Sequence, residues 1–315
     1  MNAERIWKDR HRQWLGYLHG FLSQVNGGLK IPLGPSQPSP QLAAKIPAKR
    51  RPVRIAYCAP HPDDESLSGA LALRLQLETG ARVTVVAVTL GRDESQRERR
   101  LGELQSACQA IGFGLVVPDT PHGLEDVNPL TRKNRTVRWF RKMEVLREIL
   151  EKLNPDMVFA PHDDDYNTTH IGTHYLVVDT LQQYLTLQKR PPVMLVETEM
   201  WHQMNGPNLM LGISPEVVAT QLVAACEHGG EMLRNPYHIL HPCRLMDNVR
   251  RGSEVVGGQG ASAQPFPFAE LYRISFVVGN ETVAAKPGGK IVGPEDRLDF
   301  ARLKRWFWPD GAKSY

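Results

Sequence analysis

The sequence has little cysteine, and none of it is spaced to build a site. Four cysteines occur among 315 residues, and no two of them have the C-x-x-C spacing of a zinc ribbon. This scarcity argues against a disulfide framework and favours a reducing compartment. We therefore predict a cytoplasmic protein in which Cys58, inside the apolar run 53–59, is a small buried hydrophobic residue.

Long apolar runs and dense basic blocks are also missing. No apolar stretch approaches the roughly 18 residues that cross a bilayer, and the polar start "MNAERIWKDRHRQWLGYL" does not resemble a signal peptide. The chain has 38 basic and 34 acidic residues, a formal charge of +4, and its densest basic patch, 48–54, is too short for a nucleic-acid arm. The sequence therefore predicts no membrane partner and no nucleic-acid partner, and leaves homo-oligomerisation open.

Strand and helix patterns alternate from residue 53 onward. Runs rich in β-branched and apolar residues predict strands at 53–59, 82–90, 114–119, 156–161 and 193–201, and a later one at 269–279. Helical patterns of 15 to 24 residues separate most of them, which favours right-handed crossovers and a mainly parallel sheet. We predict an α/β fold, a Rossmann-like three-layer sandwich with strand order 3-2-1-4-5. No G-x-G-x-x-G follows the first strand, so a dinucleotide site is not supported.

Three segments are expected along the chain. Residues 1–50 combine an amphipathic helix over 3–26 with a linker rich in Pro and Gly, and we expect this appendage to pack on the main body or on another subunit. Residues 51–285 would form one catalytic domain. Residues 286–315 form a C-terminal tail to which the sequence assigns no role.

Two clusters of histidine and carboxylate side chains follow the first and fourth predicted strands. The first strand ends in "PHPDDE" at 60–65, and the fourth ends in "PHDDDYNTTH" at 161–170. In the order 3-2-1-4-5 these strands are neighbours, and ligands bind at the carboxyl edge where the strand order reverses. We therefore expect both clusters to face one crevice.

The clusters contain a set of metal ligands. Adjacent carboxylates repel each other unless a cation or hydrogen-bond donors offset their charge. His61 and Asp64 lie three residues apart in a strand-to-helix turn, so both can reach one ion, and His170 could supply a third ligand. Two imidazoles and a carboxylate suit a catalytic Zn²⁺, while iron, cobalt and manganese stay open. The alternative is an acidic residue that simply caps a helix start.

The order of these motifs resembles the PIG-L/LmbE family of metal-dependent N-deacetylases. The resemblance extends over residues 53–276 and depends mainly on "HPDDE" together with the second histidine. It implies that His61, Asp64 and His170 bind the metal. It also implies that Asp63 is the general base, which takes a proton from the attacking water. The products would be acetate and a free amine.

One position departs from the family pattern. Many members have His-Pro-Asp-His in the second cluster, whereas this chain has "NTTH", with Asn167 at the position of the first histidine. Asn can donate a hydrogen bond to an oxyanion but cannot carry a positive charge or release a proton. The leaving amine would then take its proton from Asp63 or from another group, such as His174, one helical turn after His170.

Four further side chains are candidates for contact with the substrate. Arg92 and Arg100 follow the second strand, where a guanidinium could hold a hydroxyl or a phosphate. His122 follows the third strand, and His228 lies where the family carries a histidine near the site. For the arginines a solvated helix face is the alternative, and for His122 an ordinary loop position. "NPYH" at 235–238 would belong to the rim.

We therefore predict a metal-dependent amide hydrolase that acts on C–N bonds other than peptide bonds. Its substrate would be an N-acetylated amino sugar of the N-acetylglucosamine type or a related small molecule. Two alternatives stay open: an amidase for larger N-acyl groups, and a non-catalytic sugar-binding relative, against which Asp63 argues. A glycolipid substrate is disfavoured because the sequence shows no membrane span and no evident amphipathic anchor.

Overall fold

The computed structural model describes residues 3–34, 51–119, 121–134, 137–188 and 190–309. Within these ranges the helices are α1 (Ala3–Gly28), α2 (Asp64–Leu67), α3 (Ala70–Thr79), α4 (Glu94–Ile111), α5 (Pro129–Lys133), α6 (Val137–Leu153), α7 (Thr168–Gln188), α8 (Pro215–Glu227), α9 (Gly229–Arg234), α10 (Tyr237–Val255) and α11 (Phe300–Phe307). The strands are β1 (Arg54–Ala59), β2 (Arg82–Ala87), β3 (Gly114–Val116), β4 (Met157–Pro161), β5 (Val193–Thr198), β6 (Leu209–Ile213), β7 (Phe268–Val278), β8 (Glu281–Ala284) and β9 (Lys290–Val292).

The strands form one mixed sheet whose order confirms the prediction. From edge to edge the described strands run β3-β2-β1-β4-β5-β7-β6-β9, and β8 pairs with β7. The first five predicted strands, β1 to β5, are mutually parallel, whereas β7, which confirms the predicted strand at 269–279, is antiparallel to β5, β6 and β8. The α/β class, the mainly parallel sheet and the N-terminal helix are thus all present. β1 and β4 are adjacent, so their carboxyl ends meet at one edge of the sheet.

The central strand β1 is buried on both faces. Ile55 and Tyr57 pack into one hydrophobic cluster, whereas Ala56 and Cys58 pack into a second one. This alternation follows from the two-residue period of a strand and from the helices that cover both faces of the sheet. Cys58 is a fully buried free thiol, as predicted.

The turn after β1 differs from the prediction. The sequence predicts one helix over 66–80, but the structure has the short helix α2, a break, and then α3. The break contains Gly69, where a Cβ atom would lie 2.2 Å from the carbonyl oxygen of Glu65. Only glycine allows this approach, and the break holds Asp64 in a separate turn at the sheet edge. Gly80 ends α3 in the left-handed region, with φ of 69°, as predicted.

The last part of the chain completes the sheet and its core. β9 pairs with β6, and α11 places Leu303 and Phe307 in the larger hydrophobic cluster. The sequence does not reveal β6, because Asn, Gly and Pro precede this short run and give it the composition of a loop. The Ser-Pro opening and helical periodicity of 214–233 predict one helix, but the structure divides this segment at His228 into α8 and α9.

Helix α1 extends the prediction for residues 3–26 by two residues and contacts the body mainly through α10. Most of its apolar side chains are exposed to solvent. Among the described residues, no helix combines the length and the apolar composition needed to cross a bilayer.

Candidate active site

The two predicted clusters meet at the carboxyl ends of β1 and β4. Nδ1 of His61 lies 3.2 Å from Nε2 of His170, and Oδ2 of Asp64 lies 3.4 Å from the same Nε2. Nδ1 of His61 is 3.6 Å from Oδ2 of Asp64, which also accepts a hydrogen bond from the His61 backbone amide at 2.9 Å. Three ligand atoms from sites 106 residues apart in sequence therefore converge on one point.

These three atoms fit a metal ion. In tetrahedral coordination with ligand distances of about 2.0–2.1 Å, neighbouring ligand atoms lie about 3.4 Å apart. The separations of 3.2, 3.4 and 3.6 Å are close to that value. Nitrogen and carboxylate oxygen together form an ordinary ligand set for zinc and related ions. A surface cleft lies beside the cluster. His61 and Asp64 both line this cleft, so one side of the cluster faces it.

The charges of the cluster depend on one another. Burial alone would raise the pKa of Asp64, but His170 and His61 outweigh it and lower the pKa. Burial likewise acts to lower the pKa of His170, but Asp64, Asp165 and Asp63 together raise it. The pKa of His61 is lowered, mainly by burial. The cluster thus holds a carboxylate in its ionised form in a buried place, as a cation site requires.

Asp165 lies behind His170. Its Oδ2 is 3.6 Å from Nδ1 of His170, and Nδ1 is buried with no hydrogen-bond partner among the described residues. The carboxylate accepts hydrogen bonds from the backbone amides of Asn167, at 2.8 Å, and Trp201, at 3.1 Å. These bonds fix Asp165 where it orients the imidazole ring, as carboxylates behind metal-bound histidines do.

Asp63 is held in a strained conformation beside the cluster of His61, Asp64 and His170. Its φ of 119° is unusual for any residue other than glycine, and such strain is characteristic of functional sites. The Tyr237 hydroxyl donates a hydrogen bond to Oδ2 of Asp63, and the Asp63 amide donates to Oε2 of Glu65 at 3.0 Å. Burial and the neighbouring Asp64 raise the pKa of Asp63 to about 7. A carboxyl group with this pKa can take up and return a proton near neutral pH.

Glu65 and His228 form a buried pair beneath Asp63. Oε1 of Glu65 is 2.8 Å from Nε2 of His228 and accepts a hydrogen bond from the Ser66 hydroxyl at 2.7 Å. Both side chains of the pair are 0% exposed. The structure therefore places His228 behind the turn that carries Asp63 and not on the cleft wall, which corrects its predicted role in substrate contact.

Asn167 is the residue before α7 and lines the cleft. Its Oδ1 accepts a hydrogen bond from the Thr169 amide at 2.8 Å, which caps the helix. This bond uses the acceptor and leaves the amide NH₂ group as a donor. The NH₂ group of Asn167 can therefore serve as the predicted hydrogen-bond donor to an oxyanion.

His174 lies outside this cluster. Its Nδ1 donates a hydrogen bond to the carbonyl of Pro161 at 3.1 Å and lies 3.3 Å from Oε1 of Glu197. Arg273 contacts both Glu197 and Asp163, so the carboxylates near His174 already have a cation. These contacts favour a structural role for His174 over the predicted role as a proton donor.

The cleft in front of the metal ligands has a volume of 530 Å³. Arg92 and Arg100 both line it, as expected for substrate contacts. Arg100 lies 3.4 Å from Oε1 of Glu231, and its guanidinium lies over Gly91, where a Cβ atom would be 2.1 Å from Nη1. Tyr237, in the predicted rim segment 235–238, also lines the cleft, and further lining residues that the sequence did not single out include Met200, Trp201, Glu231 and Arg234.

His122 lies elsewhere. It is exposed and lines a separate cavity of 1120 Å³ beside β3, whose wall includes none of the metal-ligand residues. An intermediate cavity of 680 Å³ shares Arg97 with that cavity and His61 with the cleft. His122 therefore does not line the cleft, and the cavity that it lines adjoins the cleft through the intermediate cavity.

The fold and the site together define a Rossmann-like α/β domain with a cluster of residues suited to a catalytic metal. Residues 57–181 match the family model described as "PIG-L: GlcNAc-PI de-N-acetylase". This match agrees with the resemblance to the PIG-L/LmbE family that the sequence carries. The matched region includes both the first and the second cluster.

Three proteins similar to this chain have the following identities and coverage. A curated relative from Thermobispora bispora, "1D-myo-inositol 2-acetamido-2-deoxy-alpha-D-glucopyranoside deacetylase", is 33% identical over a match that covers 19% of this chain and 25% of the relative. The match thus spans a quarter of that relative's length. A conserved protein from Thermus thermophilus has a TM-score of 0.51 at 19% identity, covering 70% of this chain and 93% of its own, which shows a shared fold. N,N'-diacetylchitobiose deacetylase from Pyrococcus horikoshii has a TM-score of 0.49 at 17% identity, with 70% and 82% covered.

Proposed function

We propose that the protein is a zinc-dependent hydrolase that removes the acetyl group from an N-acetylated amino sugar or a related small molecule. The observation that carries this proposal is the approach of His61, Asp64 and His170 to one point, with the strained Asp63 beside them in the same cleft. The names of the family model and of the similar deacetylases support an acetylated amino sugar as the substrate class. Four free cysteines support a cytoplasmic location.

The three ligands would hold the ion, and a bound ion supplies Lewis acidity toward the amide carbonyl and toward water. Asp63 accepts the proton of the attacking water through the carboxylate that Tyr237 orients. The Asn167 amide donates a hydrogen bond to the oxygen that becomes negative as the carbonyl carbon turns tetrahedral.

The C–N bond then breaks, and Asp63 returns its proton to the departing nitrogen. Acetate and a free amine leave the cleft. No other proton donor is required, which accommodates the neutral Asn167 at a position where many relatives carry histidine.

The test is to measure bound metal and released acetate in the wild type and in Asp63→Asn on a panel of acetylated amino sugars. We expect one bound divalent ion in both proteins and acetate release from the wild type only. Asp164→Asn is the matched control, because that carboxylate is exposed and bonded to Asn205.

The other outcomes separate the alternatives. A wild type that binds no divalent metal contradicts the proposal. Release of larger acids without acetate identifies an amidase for larger N-acyl groups. Metal binding without turnover by the wild type on any acylated amine identifies a binding protein.

A further inference from the structure

Helix α2, which begins at Asp64, has only four residues and needs support from the rest of the protein. Forming one helical turn fixes several backbone angles for about one hydrogen bond, so so short a helix is not stable by itself. Asp64 is its first residue, and Asp63 comes directly before it. The groups that hold α2 in place therefore also decide where these two carboxylates lie.

One support comes from Tyr57 on β1 and from Ser68, which directly follows α2. The carbonyl oxygen of Asp64 lies 3.1 Å from the Tyr57 hydroxyl and 2.9 Å from the Ser68 hydroxyl, and the two hydroxyl oxygens are 2.7 Å apart. All three residues are buried. Two hydroxyl protons thus serve three contacts inside the protein, and they fix the backbone of Asp64.

A second support comes from Gln221 on α8. Its amide NH₂ group donates hydrogen bonds to the carbonyl of Ser66 at 3.1 Å and to Oε1 of Glu270 at 2.7 Å. The Oε1 atom of Gln221 itself is buried and has no hydrogen-bond partner among the described residues. A buried acceptor without a partner costs stability, so the two bonds that Gln221 donates explain its place in the interior.

Glu270 on β7 holds the start of α3. Its Oε2 accepts hydrogen bonds from the Ala70 amide, at 3.1 Å, and from the Tyr272 hydroxyl, and the Leu71 amide donates to that hydroxyl at 2.9 Å. Ala70 and Leu71 are the first two residues of α3, and their amides have no acceptor within the helix. Glu270 is buried. Through Gln221 on one side and Ala70 on the other, it holds both sides of the break at Gly69.

The arrangement of donors requires a carboxyl group at position 270. Oε1 faces the NH₂ group of Gln221 and Oε2 faces the N–H of Ala70, and neither of these groups can accept a hydrogen bond. A side-chain amide has a single oxygen, so it would set its own NH₂ group against one of the two donors. Turning the Gln221 amide over would not help, because its oxygen would then face the Ser66 carbonyl.

We propose that Glu270 is a positioning residue for the proposed metal site. With Gln221 it fixes the turn that places Asp63 and Asp64 at the edge of the sheet. Glu270 does not line the cleft, so it acts on the site only through this turn. Burying a carboxyl group costs free energy that its hydrogen bonds must offset, and here those bonds all go to the segment around Gly69 or to the side chains that support it.

This inference rests on the proposed function, since it concerns how the chain holds the carboxylates assigned there to the metal and to the general base. The experiment compares Glu270→Gln with the wild type by competition for Zn²⁺ against a chromophoric chelator. We expect the variant to bind Zn²⁺ about tenfold to a hundredfold more weakly, because Asp64 moves relative to His61 and His170. At saturating Zn²⁺, kcat for acetate release should fall by about tenfold or more with little change in KM, because Asp63 moves with Asp64.

Gln221→Met provides a second, independent variant, because it keeps the length of the side chain but removes both donors. It should weaken Zn²⁺ binding and lower kcat in the same direction as Glu270→Gln. In the double variant the two effects should be less than additive, since both changes remove the same hydrogen bond between Gln221 and Glu270.

Asn248→Ala is the matched control for loss of a buried hydrogen bond. The Asn248 amide donates to the carbonyl of Ala269, the neighbour of Glu270 in β7, at 3.1 Å, and Asn248 is buried. In the metal-free proteins, Asn248→Ala and Glu270→Gln should both lower the midpoint of urea unfolding. Only Glu270→Gln should also change Zn²⁺ affinity and kcat.

Wild-type Zn²⁺ affinity and kcat in both Glu270→Gln and Gln221→Met, beside a lowered unfolding midpoint, would overturn the proposal and leave these side chains a purely structural role. If Glu270→Gln does not fold, Gln221→Met decides the question. A wild type that binds Zn²⁺ but releases no acetate would contradict the proposed hydrolysis, while the comparison of Zn²⁺ affinities would still decide the role of Glu270. A wild type that binds no Zn²⁺ would contradict both proposals.

Discussion

The Tyr237 hydroxyl donates a hydrogen bond to the carboxylate of Asp63, across 174 positions of sequence. Tyr237 is the first residue of α10, and Asp63 precedes α2 at the end of β1. The bond fixes the orientation of the carboxylate that we propose as the general base. It also lowers the pKa of Asp63 against the effects of burial and of Asp64, which raise it.

Tyr237→Phe should therefore lower turnover by about tenfold while leaving metal affinity unchanged, since the general base is less well oriented. Because the lost hydrogen bond had lowered the pKa of Asp63, that pKa should rise. The acidic limb of the pH–rate profile should then move to higher pH. Steady-state kinetics across the pH range, beside a metal titration, measure both effects. Tyr17→Phe, an exposed tyrosine on α1, is the control; an unshifted profile with normal turnover would refute the role of Tyr237.

Asn167 can be tested for its two functions separately. Asn167→Asp keeps the oxygen that caps α7 but removes the NH₂ donor, whereas Asn167→Ala removes both. We expect both variants to lose between about tenfold and a thousandfold in turnover, with metal affinity nearly unchanged. Only Asn167→Ala should also lose about 1 kcal/mol of unfolding free energy. Loss of the metal in either variant would show that the ligands are wrongly assigned.

Asp165→Asn should weaken metal binding by about tenfold to a hundredfold, because the ring of His170 loses the carboxylate that orients it. Competition with a chromophoric chelator measures the affinity. The exposed neighbour Asp164→Asn should bind metal like the wild type. If Asp165→Asn melts at a lower temperature but keeps its full metal affinity, Asp165 only shapes the loop between β4 and α7.

The pair of Glu65 and His228 predicts how stability depends on pH. Burial opposes the charge on His228, but Glu65 outweighs it and raises the pKa above the ordinary value of about 6.5. A raised pKa contributes stability that is fully present below the unfolded-state pKa and is lost as the pH rises through the folded-state value. His228→Gln should thus cost about 2 kcal/mol below about pH 6.5 and less at higher pH.

Urea unfolding of both proteins at a series of pH values checks this prediction. His202→Gln, with its side chain 54% exposed, is the control. A cost that stays constant or grows with pH would mean that His228 is neutral in the folded protein.

Much of the fold was predictable because its signals are local. The β-branched runs at β1, β2 and β4 and the helices between them show their periods in the sequence, and parallel crossovers then restrict the strand order. The division of the helix after β1 was not predictable, because it depends on the close approach of Gly69 to the Glu65 carbonyl. β6 was missed because its burial comes from pairing with β7 and β9, which a short run next to turn residues does not reveal.

The site likewise has features that the sequence predicted and features that it did not. The ligand types and their spacing around "HPDDE" are chemical facts of the sequence, so His61, Asp64 and His170 could be named together before their approach to 3.2–3.6 Å was seen. The place of His122 in another cavity and of His228 beneath Asp63 could not be foreseen, because both follow from how loops pack.

The sequence by itself predicted the strand order, the two clusters at neighbouring strand ends and a ligand set suited to a divalent transition metal, since periodicity and ligand chemistry are carried by the residues themselves. The tertiary structure alone decided which groups support that chemistry. It brought Tyr237 to Asp63 and Glu65 to His228. Contacts between distant segments and exposure to solvent depend on how the whole chain packs, and no local pattern encodes them.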